Sequence, residues 1–301
     1  MSIRKTMLAL GAAILLLGGC QTNPETGRTQ LRLLPSAQVS AMGTEAKPGL
    51  INEYGGEVKS AELRNYIDEI GRKLTPHVAE EFAEIEWDFV VLDSEVINAF
   101  ALPGGNVFIS RGLLQRFTNE AQVAAVLGHE IGHVTGQHVD ERISQAVGLE
   151  GLLVGIGILA GGADSELVRA APTVIGGLGT GFLLKFGRDQ ELEADSLGMR
   201  YMVAAGYDPK GMVQVLEILR DAAGGSSPPE ILSTHPDPGR RINDAKRQIE
   251  NQYAHTRNNP EYHLRQSRFE QRARPHLGSP SAVALFAPGF LECHGCCSSR
   301  H

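Results

Sequence analysis

The sequence predicts an α+β fold that is mainly α-helical and contains a small antiparallel β-sheet. Apolar residues recur with helical spacing over several long stretches, which favours amphipathic helices. One short apolar run, and a pair of runs around a Pro-Gly-Gly-Asn turn, favour strands instead. With 301 residues, of which 42% are hydrophobic, the chain can bury the core of one large domain or two small ones.

The N-terminus is predicted to be a signal peptide, residues 1–19. Two basic residues precede an apolar run, 7–17, that is too short to span a bilayer but suits a signal-peptide core. Leu17-Gly18-Gly19-Cys20 resembles the bacterial lipobox, which implies that Cys20 is lipidated and anchors the chain to a membrane without spanning it. Gln21, where inner-membrane lipoproteins carry aspartate, implies the periplasmic face of the outer membrane of a Gram-negative bacterium.

Charge and cysteine usage narrow the class of protein further. The formal charge of −7 becomes −9 without residues 1–19, which contain two basic residues and no acid. An acidic chain with no basic stripe is not expected to bind nucleic acid. No cysteine occurs between residues 21 and 292, so the body of the protein uses neither disulfides nor thiolate ligands.

The first predicted elements lie between residues 20 and 110. Residues 20–57 are expected to form a tether with a short helix near Ala37–Glu45. The stretch 58–75 is predicted to be a helix with one apolar stripe, and 85–92 a strand. The runs 97–102 and 107–109 then form the predicted hairpin.

Helices dominate the remainder of the predicted domain. Asn119 is a good N-cap, with Gln122 as its capping partner, for a helix that runs to about Ser144. Further helices are expected over the ranges 183–205, 209–223 and 239–252. The stretch 147–181 is rich in Gly, Leu, Ile and Ala and is interpreted as mobile helices or loops that cover a cleft. Contact of this stretch with a membrane surface is the second interpretation.

The candidate metal ligands and general base are expected within VLGHEIGHVTGQH, residues 126–138. His129 and His133 are four residues apart, so that on a helix both imidazoles can face one metal ion. Glu130 is rotated away from that direction, close enough to act on a water molecule as general base. This H-E-x-x-H spacing is typical of zinc hydrolases.

Two histidines need a third ligand, and its position decides the class of site. His138 falls one residue short of the position that a third histidine would occupy, and on a continuing helix it would point away from the ion. We therefore expect His138 to be a hydrogen-bonded packing residue. Glu191 and Asp195 share one face of a later helix, so Glu191 can ligate while Asp195 accepts the distal N–H of a ligating histidine. Glu193 lies on the other side and is expected to be solvated.

These motifs together resemble the gluzincin metallopeptidases of the HtpX and CAAX-prenyl-protease family. The resemblance rests on His129-Glu130-x-x-His133 and on Arg188-x-x-Glu191-x-x-Ala194-Asp195, about sixty residues later. Three further stretches are similar to family elements: Asn23-Pro24-x-Thr26-Gly27-Arg28, the segment 98–114 and Thr234-His235-Pro236 with Arg241-Ile242.

The resemblance implies a zincin-like metalloprotease core with the small sheet beside the active-site helix. It implies one zinc ion per chain, ligated by His129, His133 and Glu191, with Glu130 as base. Asp195 and Arg188 are expected to surround these ligands. His235 is interpreted as an oxyanion donor, as a fourth ligand that keeps the enzyme latent, or as a surface histidine fixed by its neighbouring prolines.

The expected activity is zinc-dependent hydrolysis of peptide bonds in unfolded or misassembled envelope proteins, outer-membrane proteins among them. An extended substrate can pair with the hairpin strand Ala99-Phe100-Ala101-Leu102, which reads backbone more than sequence. A different class remains open, in which the protein is a chaperone-like or scaffolding lipoprotein that cleaves rarely. A structural zinc site without activity is the third interpretation.

The peptidase domain is expected to span residues 58–253 and to be followed by an atypical, disordered tail, 254–301. Cys293, Cys296 and Cys297 do not complete a zinc ribbon, because no second cysteine pair exists. Relatives linked to outer-membrane assembly carry a large helical-repeat domain after the core. The fifty residues that follow it here are expected to be too few for such a domain, so the resemblance does not extend to functions that rest on those repeats.

Overall fold

The computed structural model describes residues 20–148, 185–224 and 228–278. The predicted signal peptide, most of the stretch 147–181, part of the linker at 224–230 and the three C-terminal cysteines lie outside these residues. No helix in the described ranges is both long and apolar enough to cross a membrane.

The described residues form nine α-helices labelled α1 to α9, a further helical stretch at 138–148, four short 3-10 helices and five strands. The helices are α1 (Ser36–Glu53), α2 (Ala61–Leu74), α3 (Arg111–Leu114), α4 (Glu120–Thr135), α5 (Arg188–Ala204), α6 (Lys210–Ala223), α7 (Ile231–Thr234), α8 (Pro238–Asn251) and α9 (Gln266–Arg272). The strands are β1 (Cys20–Thr22), β2 (Thr29–Leu31), β3 (Asp88–Leu92), β4 (Ala99–Leu102) and β5 (Asn106–Ser110). The predicted α+β class, mainly helical, is confirmed.

The larger sheet has the order β3-β5-β4. Strands β4 and β5 form the predicted antiparallel hairpin, in which Phe100 pairs with Phe108. Strand β3 pairs with β5 in parallel, so the sheet is mixed rather than wholly antiparallel. The hairpin turn contains Gly104 and Gly105 with φ values of +85° and +90°, a backbone region that favours glycine. Strands β1 and β2 form a separate antiparallel pair.

Helix α2 packs its predicted apolar stripe against the sheet and against α4. The four stripe residues are fully buried: Leu63, Ile67, Ile70 and Leu74. The Ser60 hydroxyl accepts a hydrogen bond from the backbone N–H of Leu63 at 3.2 Å, which caps the start of the helix. The recurrence of apolar residues at spacings of three and four therefore located this helix correctly.

Helices α4 and α5 cross at unusually close range because small residues line the crossing. A Cβ atom on Gly198 would lie 2.8 Å from the backbone nitrogen of His129, and one on Gly132 would lie 2.9 Å from the carbonyl oxygen of Ala194. Glycine at these positions lets the two backbones approach until side chains on the facing surfaces meet. The approach brings the H-E-x-x-H turn of α4 next to the acidic turn of α5.

Helix α4 begins as predicted but ends earlier than expected. The Asn119 side chain accepts from the backbone N–H of Gln122 at 3.1 Å. The helix stops at Thr135, Gln137 takes a positive φ of 54°, and residues 138–148 are helical again. The expectation of one continuous helix to Ser144 is therefore wrong, and the turn at 136–137 changes the direction in which His138 points.

The N-terminal segment is not a free tether. Asn23 and Gln30 are buried against the end of α4, and α1 is eighteen residues long rather than the short helix expected near 37–45. Residues 254–278 are also ordered, in contrast to the predicted disordered tail. Phe269 and Leu277 within them are fully buried, because the core offers them an apolar surface that the sequence pattern did not reveal.

The C-terminal segment is fastened to the core by a buried carboxylate. Glu120, fully buried at the start of α4, accepts hydrogen bonds from the hydroxyl of Tyr207 and from Nη1 of Arg268, both at 2.9 Å. Nη2 of Arg268 also contacts Glu69 at 2.5 Å. Arg265 lies farther away, at 3.5 Å from Glu120.

We expect Arg268→Met to lower the free energy of unfolding by about 3 kcal/mol, since removing one partner leaves a buried charge poorly compensated. Urea denaturation measures the change. Arg220→Met, which removes an exposed pair with Asp221, is the control and should cost less than about 1 kcal/mol. Equal denaturation midpoints for the two variants would contradict this view of the Glu120 site.

Candidate functional site

Four buried side chains from three parts of the chain converge on one point. Nε2 of His129 lies 3.0 Å from Nε2 of His133 and 3.2 Å from Nδ1 of His235. Oε1 of Glu191 lies 3.3 Å from Nε2 of His133 and 3.1 Å from Nδ1 of His235. The structure thus brings together His129, His133, Glu191 and His235 as one group able to hold a metal ion.

The spacing of these atoms fits a zinc ion. Ligand atoms about 2.1 Å from a tetrahedral ion lie about 3.4 Å from one another. The separations measured here run from 3.0 Å to the 3.7 Å between His129 Nε2 and Glu191 Oε2. Imidazole nitrogens and a carboxylate are also the ligand types that zinc takes in hydrolases. The donor set and its geometry therefore fit a single zinc ion.

Glu130 lies beside this cluster and has no hydrogen-bond partner among the described residues. Its side chain is fully buried, and Oε1 lies 3.7 Å from Nε2 of His235. Burial raises the pKa of Glu130, and the neighbouring His235 and His129 offset only part of that rise. A cavity of about 20 Å³, roughly enough for one water molecule, touches Glu130, His129 and His235.

His129 is held by a carboxylate, which an arginine holds in turn. Oδ1 of Asp195 lies 2.9 Å from Nδ1 of His129, the contact expected from the spacing of Glu191 and Asp195. Arg241, from the first turn of α8, donates two hydrogen bonds of 2.7 Å to Asp195 and contacts Glu191 at 2.5 Å. Such contacts fix the ring orientation and proton position of a ligating histidine.

Arg241 also sets the charge state of the two carboxylates. Burial alone would raise the pKa of Glu191, but Arg241, His235 and His133 outweigh it and hold the pKa well below its ordinary value. The pKa of Asp195 is lowered in the same way, with Arg241 outweighing burial. Both side chains are therefore ionised where a cation would bind. From the sequence, Arg241 was recognised only as part of a family element, and no role at the site was predicted for it.

Arg188, expected near the ligands, is not there. Its side chain is largely exposed at the start of α5, and its nearest acidic partner is Asp237 at 3.9 Å. The first turn of α5 points this side chain away from α4, so Arg241 from α8 contacts the ligands in its place.

Glu193 and His138 form a pair behind the cluster. The carboxylate of Glu193 lies 2.8 Å from Nε2 of His138, whose Nδ1 lies 2.8 Å from Nδ1 of His133. The expected hydrogen-bonded role of His138 agrees with these contacts, although the reason differs, because the helix breaks before it. The expectation that Glu193 faces solvent is wrong, since its side chain is 19% exposed and paired.

His235 is not a surface histidine, because only 1% of its area is exposed. It follows α7, and its backbone N–H donates to the carbonyl of Ile231 at 2.7 Å. Glu230 anchors the start of α7 beside the sheet by accepting a hydrogen bond from the side-chain amide of Asn98, the residue before β4, at 2.8 Å. The loop therefore delivers Nδ1 of His235 into the cluster and turns Nε2 toward Glu130.

Phe186 covers the cluster on the side of His133. Its ring stacks on the His133 ring with centroids 3.8 Å apart, and it is 3% exposed. No role was predicted for Phe186 from the sequence, because an isolated phenylalanine before a helix carries no motif.

The predicted substrate strand, β4, occupies an edge of the described sheet but is well covered. Ala99, Phe100, Ala101 and Leu102 are all buried, and Phe100 packs against Tyr54 with ring centroids 5.5 Å apart. The position of β4 at the sheet edge suits pairing with a substrate strand. Its buried side chains also belong to the hydrophobic core.

A helical core with a small mixed sheet, carrying H-E-x-x-H on one helix and a glutamate ligand on the next, defines the zincin-like class of metallopeptidase folds. The sequence model of peptidase family M48 matches residues 61–249, well over half of the chain. The chain belongs to this family, which confirms the resemblance to gluzincin metallopeptidases.

Several longer proteins are similar to this chain over part of their length. The β-barrel assembly-enhancing protease of Escherichia coli strain K12 is 36% identical over 190 residues, or 61% of this chain and 38% of that protein. The mitochondrial metalloendopeptidase OMA1 of Arabidopsis thaliana is 35% identical over 170 residues, 55% of this chain and 32% of that protein. A putative β-barrel assembly-enhancing protease of Vibrio cholerae is 32% identical over 213 residues, 68% of this chain and 43% of that protein. The chain thus spans well under half the length of these relatives.

Proposed function

We propose that the protein is a zinc-dependent endopeptidase in which His129, His133 and Glu191 hold the metal. The observation that carries this proposal is the convergence of their ligand atoms, at zinc-like separations, beside the carboxylate of Glu130, which has no hydrogen-bond partner in the described part of the chain. Membership of peptidase family M48 supports it. The matched range 61–249 also supports a peptidase domain that starts near residue 58.

Glu130 is proposed to be the general base. When bound, zinc would supply a Lewis acid that polarises a peptide carbonyl and makes a water molecule more acidic. Glu130 takes the proton from the attacking water at a carboxylate oxygen and passes it to the amine that leaves. Its burial suits this work, because a raised pKa brings a carboxyl closer to the neutral range in which it can both accept and release a proton.

His235 is proposed to hold the site latent rather than to stabilise the oxyanion. Its Nδ1 lies within hydrogen-bonding distance of both Glu191 and His129, which is the position of a fourth ligand and not of a donor to substrate. A fourth protein ligand would occupy the place that a hydrolytic site leaves for water or substrate.

A site that His235 blocks most of the time is open only in a minor state, which is typically populated below about 10%. We therefore expect His235→Ala to raise the rate of hydrolysis at saturating zinc by about tenfold or more. Initial rates on a quenched fluorescent peptide measure the change. A fall of about a hundredfold would instead identify His235 as an oxyanion donor.

The setting and substrates are proposed from the N-terminus and from the relatives. Cys20 is exposed at the start of β1, as a lipid attachment point must be. We propose that lipid on Cys20 holds the protein at the periplasmic face of the outer membrane. The relatives named for β-barrel assembly support unfolded or misassembled outer-membrane proteins as substrates.

Metal analysis of the purified protein and digestion of casein, with and without a chelator, test the proposal. We expect one zinc per chain, loss of digestion after chelation and recovery after zinc is added back. Zinc-bound protein that never cleaves casein, even with His235 replaced by alanine, would favour the chaperone-like or scaffolding alternative. Digestion that survives complete removal of zinc would contradict the proposal.

A further inference from the structure

The motif Asn23-Pro24-x-Thr26-Gly27-Arg28 folds into a turn that docks directly behind the metal cluster. The Asn23 side-chain oxygen accepts from the backbone N–H groups of Glu25 at 2.8 Å and Thr26 at 3.0 Å, which closes the turn. Its side-chain nitrogen donates to the carbonyl of Thr135 at 2.8 Å. Asn23 is fully buried, so it ties the turn to the end of α4, two residues beyond His133.

Arg28 leaves this turn and spans two acidic side chains of the domain. Its Nη1 and Nη2 donate to the two oxygens of Glu141 at 3.1 Å and 2.9 Å, a bidentate contact. Its Nε donates to Oε2 of Glu193 at 3.2 Å. The bidentate contact holds the guanidinium in one orientation, so that the third contact is directed at Glu193.

From Glu193 the contacts continue through His138 to His133. The Glu193 carboxylate lies 2.8 Å from Nε2 of His138, and the two Nδ1 atoms of His138 and His133 are 2.8 Å apart. Nε2 of His133 faces the other ligands. A chain of three contacts therefore joins Arg28 to a ligand of the metal.

When His133 binds the metal, only one assignment of donors and acceptors fits these hydrogen bonds. His133 must offer the lone pair of Nε2, so its proton is on Nδ1 and is donated to Nδ1 of His138. A neutral His138 that accepts at Nδ1 carries its own proton on Nε2, which it donates to Glu193. Arg28 then stabilises the negative charge of Glu193, and each hydrogen bond points in one direction.

We infer that Arg28, Glu193 and His138 are positioning residues that orient His133 and fix its tautomer for metal binding. The arrangement parallels the support of His129, where Asp195 and Arg241 have the same two roles with no intervening histidine. A ring at position 138 is accommodated because residue 136 is glycine: a Cβ there would lie 2.6 Å from Nε2 of His138. The N-terminal segment is thereby part of the metal site. The inference rests on the proposed metal-binding role of His133.

The test measures zinc affinity of the full chain by competition with a chromophoric chelator. His138→Phe keeps a ring but removes the acceptor and should weaken zinc binding about 10–100-fold, the range typical of residues that orient a ligand. His138→Gln retains one acceptor and one donor and should restore most of the affinity. Arg28→Met should weaken binding about tenfold, at the lower end of that range.

Arg72→Met is the matched control, because Arg72 pairs with Asp68 at 2.7 Å far from the cluster, and it should bind zinc as the wild type does. Melting of each zinc-free variant separates weakened metal binding from general loss of stability. Wild-type affinity in both Arg28→Met and His138→Phe would overturn the inference, as would equal losses in His138→Phe and His138→Gln. A wild-type protein that binds no zinc would instead overturn the metal assignment itself, and this inference with it.

Discussion

Glu130→Gln is expected to abolish peptide hydrolysis while leaving zinc in place. Glutamine has nearly the shape of glutamate but cannot accept the proton of the attacking water. Loss of general-base catalysis typically costs about 10²–10⁴-fold in rate. Because Glu130 makes no hydrogen bond with the described residues, its replacement by the similarly shaped glutamine breaks no hydrogen bond among them. Rates on an unfolded protein substrate and zinc content of the same preparation measure the two effects.

The outcome of this substitution separates the base from the ligands. The matched control is Glu95→Gln, which changes a half-exposed carboxylate away from the site. Gln122→Glu would not be a suitable control, because Gln122 caps α4. We expect Glu95→Gln to retain the wild-type rate. Glu130→Gln protein that cleaves at the wild-type rate would remove Glu130 from the mechanism.

Glu191→Gln is expected to lose the metal. The substitution removes the only carboxylate among the four clustered side chains. It also removes one of the negative charges that balance the guanidinium of Arg241. We expect zinc affinity to fall by more than about 100-fold, since direct ligands matter more than the residues that orient them. Competition with a chromophoric chelator measures the affinity.

Asp189→Asn is the matched control for this prediction, because Asp189 is an exposed acid two residues earlier on the same helix. Its zinc affinity should stay at the wild-type value. The pair of variants tests whether position on the helix face, rather than negative charge in general, selects the ligand. Full zinc occupancy in Glu191→Gln would show that another group completes the site.

The sequence predicted the parts of the site that depend on local geometry. The spacing of His129 and His133 requires only one helical turn, and the spacing of Glu191 and Asp195 requires another. The stripe on α2 was likewise visible as a period, because each of its residues is buried by the same face. Such features follow from the helix repeat and need no knowledge of what packs against it.

Contacts between distant segments were not visible in the same way. Arg241 reaches Asp195 from a helix that begins more than forty residues later, and no spacing rule links the two positions. Glu193 faces away from Glu191 on its helix, which predicts solvent, but the N-terminal turn and His138 cover that side. The positive φ at Gln137 lies in the turn just before His138, and a turn of that kind in a non-glycine residue has no strong sequence signal.

The ordered segment 254–278 is a second example of the same limit. Its sequence carries no motif that predicts an element, and an atypical, disordered tail was therefore expected. Two arginines in it, Arg265 and Arg268, meet the buried Glu120, and Phe269 fills a site in the core. The stability of the segment comes from partners elsewhere in the chain rather than from its own composition.

Anomalous diffraction at the zinc edge, from crystals of the full chain grown with zinc, tests the proposed site most directly. We predict one strong peak within bonding distance of Nε2 of His129, Nε2 of His133, a carboxylate oxygen of Glu191 and Nδ1 of the latent ligand His235, with Glu130 beside the zinc ion and not bonded to it. Crystals of Glu191→Gln grown under the same conditions should lack the peak. Absence of the peak from the wild-type cluster, or a zinc ion ligated by Glu130, would contradict the proposed metallopeptidase centre.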